Sequence, residues 1–328
     1  MKKNQFFPNS IKDIKVPFIN KAKEVKKTSP PPPFISFITF NRLGLTVKNL
    51  ENILDSDEDF EMHIIDCNSK DNTWDYLQSL TDKRIKSKTR FSLNMGPIYA
   101  VNSNLFKRKP DQYFFTVDSD VFITTKNWIS RFMEVFEAFP EAGLLGVMRD
   151  KPYPRYMPPI IPKVKGNASY LELKNATIGV EMDFVPGHLQ GLRPELIKEI
   201  GYWSEENGYG DAELSPRVHH YTKFKAGFLT TVEIAMTQYL GCDECQGKEF
   251  CTLSRSVSPC FSFSKQLNVN ESFAAKYRWK YLETFKELAE GKRTVYCASV
   301  IDSESMKDRV YNQEWSSENF DHYMKNSN

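Results

Sequence analysis

Two aspartates separated by one small residue follow a short apolar run in the segment FFTVDSDVF. Side chains two positions apart on an extended strand share one face, so Asp118 and Asp120 can approach the same cation. Carboxylate oxygens suit Mg²⁺ or Mn²⁺, which bind few protein carboxylates and complete their shell with phosphate and water oxygens. Asp and Ser are also common in a turn at the end of a strand. The spacing therefore predicts a cation site or a strand-end turn, and the choice depends on the surrounding elements.

The segments around this pair predict an α/β fold. FISFITF at 34–40 and EMHIIDC at 61–67 are apolar runs rich in aromatic and β-branched residues, which is typical of buried strands. Apolar residues recur at helical spacing from 43 to 54, from 71 to 80 and from 128 to 139. Thr124 or Thr125 is expected to cap the last of these helices. Because strands alternate with helices, we predict a mostly parallel sheet covered by helices on both faces.

Polar side chains follow three of the predicted strands. Asn41, Asp66 and the Asp118–Asp120 pair each come where an apolar run ends. Sheets of this kind bind ligands outside the carboxyl ends of their strands. The sequence therefore predicts one crevice that receives polar groups from three strand ends.

The composition along the chain predicts a central domain with two appendages. Residues 1–33 are rich in lysine and end in four prolines, which indicates a solvated tail or an arm that docks on a membrane surface or a partner. The main domain is expected at 34–240, and a cysteine-containing, helical extension is expected at 241–328. Lys151 to Gly166 is rich in proline and is predicted to be a surface loop.

Charge and hydropathy narrow the class of protein. The formal net charge of +2 does not favour nucleic acid as a partner, although the lysine-rich tail is locally basic. No run of 18 apolar residues predicts a transmembrane helix, and the start of the sequence lacks the apolar core of a signal peptide. We therefore expect a cytoplasmic protein that can lie peripherally at a membrane surface.

Four of the six cysteines cluster near the end of the main domain. Cys242, Cys245, Cys251 and Cys260 are spaced C-x2-C-x5-C-x8-C. Close thiols in a reducing compartment suit a structural Zn²⁺ site, and free thiols or disulfides are the alternatives. The other two cysteines are expected to be buried as small apolar side chains.

Five segments, in order along the chain, resemble the family 2 glycosyltransferases with the GT-A fold. These are ISFITFNR, IIDCNSKDNTWDYL, NMGPIYAVN, VDSD and FVPGHLQGLRPELIKEIGYWSEENGYGDAELSPRV. The resemblance covers about residues 34 to 230. It implies a Rossmann-like, mostly parallel sheet flanked by helices, with a nucleotide-sugar half at about 34–123 and an acceptor half at about 124–240.

The resemblance also implies roles for individual residues. Asp118 and Asp120 would hold Mn²⁺ or Mg²⁺ on the diphosphate of the donor, with Asp120 as the more direct ligand, whereas Asp71 would shape its own turn. The residues expected to bind the donor are Thr39, Asn41, Arg42, Asp66, Asn94, Gly96, Asp118 and Gly187.

Asp211 lies where the family places its catalytic base, and Glu213 is the alternative because Ala212 separates the two acids. A helix cap is the structural alternative for Asp211. A base that deprotonates the acceptor hydroxyl for in-line attack implies inversion at the anomeric carbon.

Aromatic and histidine side chains near this base have two interpretations. Trp203 and Tyr209 are suited to stack on a sugar ring or to pack in the core. His188 is expected to contact the sugar or to be a packed, hydrogen-bonded histidine. His219 and His220 are candidates for a further cation ligand, with Asp243 or water as alternatives.

The expected activity is transfer of a sugar from a nucleotide diphosphate sugar, with a UDP-sugar as the default donor, to a glycan or glycoconjugate. Transfer to protein or modified nucleic acid and a non-catalytic module that binds nucleotide sugars are the alternatives. A nucleotidyltransferase is disfavoured, because the segment after the first strand carries a single glycine.

Overall fold

The computed structural model describes residues 30–148, 158–178, 183–208, 210–236, 249 and 271–327. The four clustered cysteines, Asp243 and most of the lysine-rich tail lie outside these residues. The zinc site and the function of the tail therefore stay predictions.

The described chain alternates strands and helices along most of its length. The strands are β1 Phe34–Thr39, β2 Glu61–Asp66, β3 Ile85–Arg90, β4 Phe114–Asp118, β5 Val121–Ile123, β6 Ala142–Val147, β7 Ile160–Lys165, β8 Ala168–Leu173, β9 Leu189–Leu192, β10 Lys225–Leu229 and β11 Ile234–Met236. The helices are α1 Leu43–Leu54, α2 Thr73–Ser79, α3 Pro97–Leu105, α4 Trp128–Ala138, α5 Pro194–Ile200, α6 Gly210–Tyr221, α7 Glu271–Ala289 and α8 Gln313–Asn326.

Nine of these strands form one sheet in the order β3-β2-β1-β4-β9-β6-β10-β8-β7. The four strands from β3 to β4 are parallel, whereas β9 runs antiparallel between β4 and β6. β10 is parallel to β6 and antiparallel to β8, which pairs antiparallel with β7. Only β8 and β9 run against the other strands of this sheet, so the predicted mostly parallel α/β sheet is confirmed.

Helices cover both faces of the sheet because its central strands carry apolar residues on both faces. On β1, Ile35 and Phe37 pack in a cluster with α1, α2 and α4. Phe34 and Ile38 pack in a second cluster with α3, α5 and α6. The near-continuous apolar run that predicted β1 is thus buried on both faces, as a central parallel strand requires.

The region predicted as a surface loop from Lys151 to Gly166 contains a strand instead. β7 pairs with β8 through six residue pairs, from Ile160 opposite Leu173 to Lys165 opposite Ala168. This strand is at the edge of the sheet, where a proline is tolerated because one row of backbone groups needs no partner strand. The strand was not predicted, because the many prolines of this segment indicated a loop.

The predicted threonine cap of α4 at 124–125 is wrong. The helix begins after Asn127, whose side chain makes no cap bond. The Glu58 carboxylate accepts hydrogen bonds from the backbone N–H groups of Ile129 at 3.1 Å and Ser130 at 2.7 Å. A carboxylate distant in sequence therefore satisfies the amides that a local cap would bind.

Two helices lie in the C-terminal part of the chain. α7 confirms the helix predicted at about 271–290, and Gly291 follows it with φ +68°. α8 was not predicted, because its sequence is polar over most of its length. Across the described residues, no helix combines the length and the apolar character that crossing a bilayer requires.

Two adjacent buried glutamates between α5 and α6 bind the C-terminal segment. Glu205 accepts hydrogen bonds from Asn102 Nδ2 at 3.0 Å, Ser299 Oγ at 2.5 Å and Tyr311 Oη at 2.7 Å. Glu206 forms an ion pair with the buried Arg293. Charged groups this buried are tolerated only when they are paired, so these contacts fix the C-terminal segment in place.

A histidine on β2 makes the stability of the fold dependent on pH. His63 stacks on Phe34 with ring centroids 4.1 Å apart, and its Nδ1 lies 2.8 Å from Ser87 Oγ. Burial, followed by the charge of Lys107, lowers the pKa of His63 to about 4. The fold therefore prefers the neutral imidazole.

We predict that His63→Gln reduces the loss of stability in acid. The folded pKa lies below the unfolded value of about 6.5, so this contribution to stability is complete above about pH 6.5 and is lost as the pH falls towards 4. The free energy of unfolding should fall by about 1–2 kcal/mol less in the variant over this range, after allowance for screening of a half-buried group. Urea unfolding at several pH values measures this difference. Parallel pH profiles of stability for the wild type and the variant would show that His63 does not cause the loss in acid.

Candidate active site

The carboxyl ends of three adjacent parallel strands meet at one edge of the sheet. β1 lies between β2 and β4, with Thr39 opposite Asp66 and Ile38 opposite Asp118. The residues that follow these strands are therefore neighbours, as the sequence predicted. Asp66 is fully buried and accepts hydrogen bonds from the backbone and hydroxyl of Ser69. Burial raises the pKa of Asp66.

The turn after β1 is held in an uncommon backbone conformation. Asn41 and Arg42 have φ values of 55° and 62°, in the left-handed region that residues other than glycine seldom adopt. Asn41 N–H donates to Ser69 Oγ at 2.7 Å, and Asn41 Oδ1 accepts from Lys70 N at 2.8 Å. Asp71 accepts from the backbone N–H of Leu43 at 3.0 Å, which agrees with its predicted turn-shaping role. The turn is thus fixed to the loop that follows β2.

Asp118 and Asp120 lie at the end of β4 and in the residues just after it. Arg42 Nη1 lies 2.9 Å from Asp120 Oδ2, and both side chains are largely buried. Desolvation, followed by the charges of Asp120 and Asp211, raises the pKa of Asp118 to about 8, against the opposing effect of Arg42. The sequence-predicted cation pair is therefore a cluster of mutually repelling carboxylates with one arginine beside it.

Asp211 reaches this cluster from the first turn of α6. Its Oδ2 accepts the backbone N–H of Gly187 at 3.0 Å, and its Oδ1 accepts that of Ala212 at 2.9 Å. The backbone N–H of Asp118 donates to His188 O at 3.0 Å, so the segment that holds Asp211 also pairs with the end of β4. A Cβ at Gly187 would lie 3.3 Å from the Asp211 Cβ, so a larger residue there would require a shift of a few tenths of an ångström. Burial raises the pKa of Asp211.

Glu213, the alternative base, faces the protein interior. Its Oε1 lies 2.9 Å from Arg217 Nε, and both side chains are buried completely. Arg217 also donates to the backbone carbonyls of Ile200 at 2.8 Å and Tyr202 at 3.0 Å. Desolvation raises the pKa of Glu213, and the charge of Arg217 opposes that rise. The arrangement is that of a structural ion pair.

Two residues expected to bind the donor lie under the C-terminal helix. Asn94 accepts the backbone N–H of Gly96 at 2.9 Å and donates to Ser327 Oγ at 2.8 Å. Gly96 has φ 89°, and a Cβ there would lie 2.4 Å from the Tyr323 ring. The segment NMGPIYAVN is thus packed against α8, and its role in donor binding stays a prediction.

Thr39, another residue expected to bind the donor, is also buried within the fold, and its hydroxyl lies 2.8 Å from Thr46 Oγ1.

The stacking role considered for Trp203 is wrong, because this side chain is buried and its ring centroid lies 5.7 Å from that of Phe114. Tyr209 is outside the described residues. His188 is the packed, hydrogen-bonded histidine of the two alternatives, with Nε2 3.0 Å from Val147 O.

The histidine pair on α6 lies at the opposite end of that helix from Asp211. His219 and His220 line a separate cavity of about 370 Å³ together with Lys174 and Asn175. His220 Nε2 lies 3.0 Å from Ala176 O. Among the residues that the structure describes, no three His, Cys, Asp or Glu side chains form a metal cage.

Sequence reasoning missed one residue that positions the cluster. Asn49 Nδ2 donates to the backbone carbonyl of Asp118 at 2.7 Å. Asn49 is fully buried on the same face of α1 as Leu45 and Leu50. A polar residue on a mostly apolar helical stripe was the available signal, because such a residue needs a buried partner.

Comparison with known proteins identifies the family of this chain. The sequence model described as Glycosyl transferase family 2 matches residues 35–201, which are 167 of the 328 residues. The chain therefore belongs to glycosyl transferase family 2. It is a glycosyltransferase enzyme. No curated protein sequence matches this chain.

Solved structures with a similar fold include two glycosyltransferases of low sequence identity. The mannosyltransferase PcManGT from Pyrobaculum calidifontis, in complex with GDP-Man and Mn²⁺, is 15% identical with a TM-score of 0.47. That match covers 62% of this chain and only 57% of the mannosyltransferase. S. aureus TarS 1-349 is 15% identical with a TM-score of 0.46, over 79% of this chain and 92% of that one.

We predict that Glu213→Gln destabilises the protein strongly, because it leaves the Arg217 charge buried without its counter-ion. Removing one partner of a buried ion pair lowers the free energy of unfolding by about 3–5 kcal/mol. Asp321→Asn, which breaks the exposed pair with Lys325, is the matched control and should change it by about 0.5 kcal/mol or less. Urea unfolding measures both. A Glu213→Gln variant as stable as the control would show that the ion pair is not structural.

Proposed function

We propose that this glycosyltransferase is metal-dependent and inverting, and that it transfers sugar from a UDP-sugar to an acceptor hydroxyl of a glycan or glycoconjugate. The observation that carries the proposal is the convergence of Asp118, Asp120 and Asp211 beside the ends of β1 and β4. Two of these carboxylates would serve the donor and the third the acceptor. We also propose that 34–240 is the catalytic domain, between the tail at 1–33 and the extension at 241–328.

Asp118 and Asp120 fit a hard divalent cation. Their oxygens come from one short segment, and burial together with the repulsion from Asp120 raises the pKa of Asp118, so a bound cation would relieve that repulsion. Two carboxylates are the usual protein contribution to a Mg²⁺ or Mn²⁺ site whose other ligands are phosphate and water oxygens. A cation bound there would neutralise charge on the departing nucleoside diphosphate.

Asp211 is the proposed general base. The backbone N–H groups of Gly187 and Ala212 fix its orientation, and desolvation makes its carboxylate more basic. It would accept the proton of the acceptor hydroxyl while that oxygen bonds to the anomeric carbon and the bond to the diphosphate breaks. This single displacement inverts the anomeric carbon. Glu213 is engaged by Arg217, which supports Asp211 over it.

The nucleoside is proposed to bind beside Asp66 and the turn at Asn41. The buried Asp66 carboxylate accepts hydrogen bonds, as a base N–H or a ribose hydroxyl requires. Arg90 Nε lies 3.4 Å from Asp66 Oδ2 and would keep that carboxylate ionised. Binding there would place the diphosphate between the nucleoside and the Asp118–Asp120 pair.

The cation assignment predicts that Asp120→Asn abolishes Mn²⁺-dependent binding of UDP. The amide keeps the shape of the side chain but removes the charge, so turnover should fall by about 10²-fold or more. Calorimetric titration of UDP with Mn²⁺ or with a chelator measures the binding. Asp111→Asn, at an exposed pair with Lys198, is the control and should bind normally. Near-normal Mn²⁺-dependent binding in Asp120→Asn would exclude the assignment.

The base assignment predicts that Asp211→Asn lowers turnover by about 10²–10⁴-fold while the affinity for the donor changes little. The carboxylate acts on the acceptor hydroxyl and not on the diphosphate, so its loss should slow the transfer step without weakening donor binding. Release of UDP from the donor and calorimetric donor affinity measure the two effects. Turnover within about tenfold of the parent enzyme would contradict the assignment of Asp211 as the base.

A further inference from the structure

Arg42 holds the carboxylate that is proposed to be the most direct cation ligand. Its Nη1 lies 2.9 Å from Asp120 Oδ2, with side-chain exposures of 15% and 6% for the two residues. A charge-assisted contact at this distance in a largely desolvated place is stronger than an exposed pair. The contact joins residues that are 78 positions apart, so it depends on the folded arrangement of β1 and β4.

The backbone around Arg42 is arranged to make this contact. Two successive residues, Asn41 and Arg42, adopt left-handed φ values, which are unfavourable for side chains with a Cβ. Hydrogen bonds from both sides hold the turn, through Ser69 Oγ before Arg42 and the Asp71 carboxylate after it. Strain that the surrounding structure holds in place is characteristic of functional sites.

We propose that Arg42 is a positioning residue that occupies the cation's place at Asp120 in the free enzyme and is exchanged for the cation when the nucleotide binds. This inference rests on the proposed cation site at Asp118 and Asp120. A guanidinium and a divalent cation compete for the same carboxylate oxygen, and their positive charges repel each other. Binding of the cation alone must therefore displace the Arg42 guanidinium from Asp120 against this repulsion.

A nucleoside diphosphate offers acceptors to the displaced guanidinium. Its phosphate oxygens are acceptors that match the fork of a guanidinium, and they also complete the coordination of the cation. Arg42 can then leave Asp120 for the diphosphate at little loss of electrostatic energy. Cation and nucleotide should consequently bind with positive coupling, each raising the affinity of the enzyme for the other by the same factor.

Titration of the full chain with Mn²⁺, in which electron paramagnetic resonance measures the free ion, tests this inference. The wild-type protein should bind Mn²⁺ at least about tenfold more tightly with saturating UDP than without it, which is about 1.4 kcal/mol of coupling. Arg42→Met removes the competing charge, so Mn²⁺ should bind the variant alone about tenfold more tightly than it binds the wild type. The gain from UDP should shrink correspondingly.

Three further proteins make the test specific. Arg42→Gln repeats it with a neutral polar side chain should the methionine variant fail to fold, and Arg42→Lys, which keeps the charge, should stay near the wild type. Arg131→Met removes an exposed arginine paired with Glu134 on α4 and should leave Mn²⁺ binding unchanged. Equal Mn²⁺ affinity in the wild type and both neutral variants would overturn the inference and leave the proposed cation site intact. Absence of Mn²⁺ binding in every protein, with and without UDP, would overturn both.

Discussion

The site depends on keeping carboxylates of like charge close together in a poorly solvated crevice. Asp118 shows the effect most clearly, because burial, followed by the charges of Asp120 and Asp211, raises its pKa to about 8 while Arg42 opposes that rise. The order of the sheet creates this situation, since β4 lies between β1, which leads into the arginine, and β9, which follows Gly187. The glycine then permits the close approach of Asp211. The strand order, the strained turn at Arg42 and the glycine at 187 therefore all act to bring these charged side chains close together.

A second network of buried charges stabilises the elements around this crevice. Glu205 and Glu206 bind the segment from Arg293 to Asn312, and the ion pair of Glu213 with Arg217 anchors α6. Because buried charges are costly unless paired, each contact favours one arrangement of these segments over its alternatives. The family match ends at residue 201, so this network lies almost wholly in the part of the chain that the match does not cover.

Much of the first half of the fold could be predicted because its signals are local. The apolar runs of β1, β2 and β4 and the stripe of α4 are visible in short windows, and the strand ends correctly placed Asp66 and Asp118 on either side of the end of β1. Trp203 and Glu213 were ambiguous because their residue types suit both a site and a core. Only the contact of Trp203 with Phe114 and that of Glu213 with Arg217 show that both residues belong to the core. The packing of α8 against Asn94 could not be predicted, because the partner of Asn94, Ser327, is distant in sequence.

Release of nucleoside diphosphate from a panel of nucleotide sugars, with Mn²⁺ or with a chelator, tests most directly that this crevice performs metal-dependent sugar transfer. The full chain would be incubated with UDP-, GDP- and other nucleotide-linked sugars, and the free diphosphate would be quantified. We predict that UDP-sugars release UDP with Mn²⁺ and that the chelator abolishes the release. Release at the same rate with the chelator, or from no donor in the panel, would contradict the account.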